Sequence, residues 1–135
     1  MALHERYFAV LKAGSAPLGE GSDLMKQLKK RFGGFDAWKK EFTAMGKMRG
    51  VGWVVLYYDP IADVLTNHWI TLHEEGNPAG CVPVVTMDVW EHAYILDQGA
   101  AGRGAYIEAF FKNVDWQKVE ADFKAVASLS VSAAR

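Results

Sequence analysis

Residues 51–72 read "VGWVVLYYDPIADVLTNHWITL", and their composition differs from everything before them. Two runs of β-branched and aromatic residues flank "DPIAD" (59–63), in which Asp-Pro opens a turn. That pattern predicts an antiparallel hairpin. A third run, "VPVVTM" (82–87), follows the loop "HEEGNPAGC", and Pro83 places it at a sheet edge or early in the strand, because proline cannot donate to a central ladder.

On either side of these strands the apolar period is helical. Leu3, Tyr7 and Leu11 predict a short helix over 3–12. Ser22 predicts an N-cap for a helix carrying Leu24, Leu28 and Phe32, which Gly33-Gly34 ends. Asp36 is expected to cap the next helix, with Trp38, Phe42 and Met45 on one face. Residues 89–97 read as helix or tight turn. Beyond them "GRGAYIEAFFKNV" and "DWQKVEADFKAVA" predict two more helices, the second capped by Asp115, and the tail "SLSVSAAR" is expected to fray. Helices, then three strands, then helices make an α+β fold: a three-stranded antiparallel sheet flanked by helices and preceded by a truncated helical segment.

A chain of 135 residues, half of them apolar, is enough for one domain with a hydrophobic core. The net charge of −1 carries no electrostatic footprint for nucleic acid or an anionic membrane, and no apolar run has the length of a membrane span. Cys81 is the sole cysteine, which rules out an internal disulfide and a thiolate cluster. With no signal-peptide pattern at the N-terminus, a cytoplasmic protein is expected. The glycine clusters "GKMRGVG" and "GAAGRG" lack the strand-to-helix setting of a phosphate loop, and no nucleophile-elbow pattern is present.

The densest chemistry lies in "TMDVWEHAYILD" (86–97). An apolar run empties into Asp88, and His92 follows four residues later. A carboxylate at the end of a buried strand is costly to desolvate unless it is paired or bound to a cation. Two readings follow from the spacing: a metal site of nitrogen and oxygen donors, or a buried Asp–His pair. His68, mid-strand beside Asn67, reads as structural.

"DVWEHAY" (88–94) resembles the signature of the iron/manganese superoxide dismutase family. "GVGWVVL" (50–56), "YIEAFFKNVDW" (106–116) and "LHERYFAVL" (3–11) resemble other segments of that family. The resemblance implies a superoxide dismutase with an iron or manganese cofactor and superoxide as substrate. It makes His4, Asp88 and His92 metal ligands, has Trp53 and Trp90 line the pocket, and puts His73 where a side chain bonds the metal's solvent. It also implies a homodimer in which Glu91 pairs with the partner's ligand histidine. Residues 1–14 are expected as the remnant of an N-terminal helical hairpin domain, and 15–135 as the C-terminal α/β domain. The family's first ligand helix, with its histidine and tyrosine, has no counterpart in this sequence, and Ile95 stands where the family has a second tyrosine. A second function class therefore stays open: a non-catalytic metal-binding dimer on the same fold.

Overall fold

A computed structural model describes residues 2–13, 16–48, 52–71, 80–90 and 102–133, and at 2–4, 6 and 129–133 the backbone alone. The elements in chain order are α1 (Ala2–Ala9), α2 (Asp23–Phe32), α3 (Phe35–Gly46), β1 (Trp53–Asp59), β2 (Val64–Ile70), β3 (Val82–Asp88), α4 (Arg103–Lys112) and α5 (Trp116–Ala133). The three strands form one antiparallel sheet in the order β2-β1-β3. This is the α+β architecture expected from the sequence.

Six successive side chains of β1, Trp53 to Tyr58, are buried. A central strand covered on both faces needs an unbroken apolar run rather than an alternating one, which is why "WVVLYY" reads as it does. The hairpin turn is built by its aspartates. Asp59 Oδ1 accepts from the amides of Ile61 and Ala62 at 2.9 and 3.1 Å. Asp63 adopts φ 55°, a left-handed conformation that aspartate tolerates better than most residues, and its Oδ1 accepts from Tyr58 Oη at 2.6 Å.

Pro83 lies, as expected, on an edge strand near its start. Beside it the ladder is irregular: Leu56 faces Val85 but Tyr57 faces Pro83, so Val84 is passed over. Such a bulge moves every later residue of the strand by one register position. Counted from Tyr58 opposite Val82 without the bulge, Trp53 would face Met87; with it, Trp53 faces Asp88.

Ser22 caps α2 as predicted, its Oγ accepting from Met25 N–H at 3.1 Å, and Gly33 at φ 95° ends the helix. The expected cap at Asp36 is corrected: α3 begins at Phe35 with Gly34 in the cap position. Gly33 and Gly34 both hold positive φ, 95° and 153°, and together turn the chain straight into the next helix. Asp36 falls in the first turn, where its charge suits the helix dipole. Asp115 does cap α5, accepting from Lys118 N–H at 3.2 Å. The tail departs from expectation: the backbone stays helical through Ala133, a continuation that its alanines favour and its serines permit.

Long-range polar contacts lock the helices onto the sheet. Trp38 Nε1 donates to Asn67 Oδ1 at 3.0 Å, joining α3 to β2. Glu120 of α5 accepts from the amides of Asp23 and Leu24 at 3.0 Å each, satisfying two otherwise bare donors at the start of α2. Past the end of α1, Leu11 and Val114 form an antiparallel bridge, with Lys12 N–H donating to Asn113 O at 2.5 Å and Asp115 N–H to Val10 O at 2.6 Å. Among the described residues no helix is long and apolar enough to cross a membrane.

Candidate metal centre

The end of β3 delivers Asp88 into the interior, where it is 2% exposed. Opposite it across the ladder stands Trp53, wholly buried. One residue further, Val89 N–H donates to Gly52 O at 2.9 Å, extending the pairing past the strand. Gly52 is dictated by close approach: a Cβ there would lie 2.3 Å from the backbone oxygen of Ile70. The chain then folds back, so that Trp90 N–H donates to Asp88 Oδ1 at 2.9 Å. Arg103 fastens this turn from α4, its guanidinium donating to Met48 O at 2.6 Å and Val89 O at 3.3 Å.

α1 packs against β3. Its Tyr7 reaches Tyr106 of α4, the two hydroxyl oxygens 2.9 Å apart and both rings buried. The Tyr7 ring stacks on Phe110 at 6.0 Å and meets Trp53 edge-on at 6.3 Å. Burial pushes the Tyr7 hydroxyl up from its ordinary pKa; the hydrogen bond with Tyr106 acts downward, and the charge of Asp88 adds to the rise. Tyr106 is raised as well, by burial first, then by Tyr7 and by Asp88. Both hydroxyls therefore stay protonated at neutral pH.

Of the residues singled out in the sequence, Asp88, Trp53 and Trp90 are brought together. His4 lies in α1, where the backbone alone is described; His73, Glu91 and His92 lie outside the described residues. No group of three or more His, Cys, Asp or Glu side chains converges among the described residues. His68 is engaged on β2, with Nε2 2.8 Å from Thr66 Oγ1 and its ring edge-on to Tyr57, in keeping with a structural role. Tyr106 and Arg103 were not singled out from the sequence, and Tyr7 was read only as a core position of its helix.

The described residues supply one buried carboxylate, Asp88, an oxygen donor of the kind that suits iron or manganese. Trp53 contributes an apolar wall beside Asp88, where burying a charge is costly and a cation would offset that cost.

Residues 20–122 match the family model described as iron/manganese superoxide dismutases, C-terminal domain. The chain belongs to the iron/manganese superoxide dismutase family. Among curated relatives of this family, it is 40% identical over 111 residues to a superoxide dismutase (Mn) of Haloarcula marismortui, covering 82% of this chain and 52% of that protein. It is 40% identical over 127 residues to a superoxide dismutase (Fe) of Cupriavidus metallidurans, covering 93% and 62%. With a superoxide dismutase (Mn/Fe) of Aeropyrum pernix the identity is 42% over 110 residues, covering 81% and 50%. The chain thus spans between half and about three fifths of the length of these superoxide dismutases.

Proposed function

We propose that this chain acts as a superoxide dismutase, converting two superoxide ions and two protons to dioxygen and hydrogen peroxide at a mononuclear iron or manganese site. The observation that carries the reading is Asp88, buried at the end of β3 opposite Trp53, in a chain of this family. The names of the relatives support both the activity and the choice of metals.

Asp88, His92 and His4 would hold the cation, and the metal would supply the one-electron couple that both half-reactions need. Asp88 brings a fixed negative charge into a low-dielectric setting, which favours the more highly charged state of the cation. Trp53 and Trp90 exclude bulk water from one side of the carboxylate. His73 would hold a proton at the edge of the site for delivery to the reduced oxygen species. Glu91 and His92 are proposed to meet their counterparts at a two-fold interface, so that the active form is a homodimer.

The test is dismutase turnover per bound metal ion, with iron and manganese quantified on the same sample. Asp88→Ala is expected to abolish both metal binding and turnover; unchanged metal content would place the site elsewhere. Stoichiometric metal without turnover would leave a non-catalytic metal-binding dimer. Sedimentation at micromolar concentration is expected to give a dimer.

A further inference from the structure

α1 is eight residues long, too short to hold its own structure in water, so its placement comes from what it touches. The backbone hydrogen bonds of Val10 and Lys12 to the 113–115 corner fix the chain just past its C-terminal end. A helix held at one end can still swing. A second fixed point one turn earlier is needed to define its axis, and Tyr7 supplies it: its hydroxyl bonds Tyr106, and Phe110 and Trp53 hold its ring.

Position 4 lies one turn N-terminal to position 7, on the same face of α1. Trp53, against which the Tyr7 ring rests, is itself the register partner of Asp88. We infer that the buried Tyr7–Tyr106 hydroxyl pair is a positioning device, setting where the ligand position on α1 stands relative to Asp88. This rests on the metal reading proposed above. The two tyrosines are 99 apart in the chain, and their hydroxyls meet in the buried interior.

The experiment uses the full chain with Tyr7→Phe, Tyr106→Phe and the double variant, with Asp88→Asn as the site control. Three quantities are measured: thermal unfolding without metal, the Kd for Mn2+ by chelator competition, and the EPR fine structure of bound Mn2+. Each single variant removes one half of the buried hydroxyl pair and should unfold at a lower temperature. The double variant removes both hydroxyls and should recover most of that loss. If the pair positions α1, the double variant still binds Mn2+ about 10-fold or more weakly than the parent, with altered fine structure. Should the double variant fold poorly, the EPR spectrum of Tyr106→Phe gives the same reading. Parental affinity and spectrum in the tyrosine variants, with binding lost in Asp88→Asn, would overturn the positioning role alone. Parental binding in Asp88→Asn would overturn the metal reading and the inference with it.

Discussion

Trp53 and Asp88 face one another at the last rung of the β1–β3 ladder because Val84 is passed over four residues upstream of the aspartate. The bulge therefore decides whether a thioether or a carboxylate sits opposite the buried indole. Inserting one alanine between Val85 and Thr86 is expected to push the end of the strand on by one position, so that Met87 faces Trp53. Mn2+ binding should be lost while the far-UV circular dichroism of the sheet persists. Retained stoichiometric binding would show that the register does not set the site.

Two glycines should respond differently to alanine. A Cβ at Gly52 meets the backbone oxygen of Ile70 at 2.3 Å, and the β1–β2 edge has to part to admit it. At Gly46 the nearest atoms are Met87 Cε at 2.7 Å and Ile107 Cδ1 at 3.0 Å, the far ends of side chains that can move. Gly52→Ala should cost about 3 kcal/mol, the upper end of overpacking effects, and Gly46→Ala clearly less. Urea denaturation of both variants checks the order; equal midpoints would refute it.

Glu120 bonds two amides at the start of α2 from a helix 96 and 97 residues away in sequence. Removing its carboxylate with Glu120→Ala should destabilise the chain by about 1–2 kcal/mol, in the range of a lost helix cap. Ser22→Ala, which removes the adjacent cap to Met25, should cost about 1 kcal/mol. A stability change within experimental error for Glu120→Ala would argue that α5 does not cap α2 in solution.

The alkaline limb of stability should be set by buried tyrosines. Tyr57 is pushed up to about 12, chiefly by burial and then by Cys81, and Tyr7 and Tyr106 are also raised, burial being the first cause in each. A phenol whose folded pKa exceeds its unfolded value near 10 stabilises the fold fully below pH 10. That contribution drains away as pH rises from about 10 through the folded values, because the unfolded chain ionises first. Absorbance at 295 nm should rise in two steps, the later one coinciding with loss of circular dichroism. Tyr57→Phe should reduce the later step; a single step near pH 10 would contradict the burial.

What the sequence revealed was mostly local. The Ser22 cap and the Asp59–Asp63 turn are made by atoms within four residues of one another, so the residue types alone announce them. Pro83 signalled an edge strand for the same reason: the missing donor belongs to the residue itself. Asp36 misled because the cap position went to Gly34, whose backbone angle is a property of the Gly-Gly junction and not of the aspartate. Asp88 was recognisable as a carboxylate ending an apolar strand. Its partner was not, since that depends on a bulge which no residue type marks. Tyr7 with Tyr106, and Glu120 with Asp23, are contacts between residues 99 and 97 apart in the chain and leave no trace in local pattern.

The stitching of α1 to the 113–115 corner also bears on how the molecule is made. A ribosome delivers α1 before the corner that holds it: Tyr106, Asn113 and Val114 leave the exit tunnel about a hundred residues later. At roughly 5–20 residues per second the nascent helix waits on the order of 5–20 seconds for that corner. The sheet hairpin, whose strands are neighbours in sequence, can pair in that interval. Docking of α1 consequently waits until residues 106–115 have emerged, and a cation held jointly by α1 and β3 would be captured only after that.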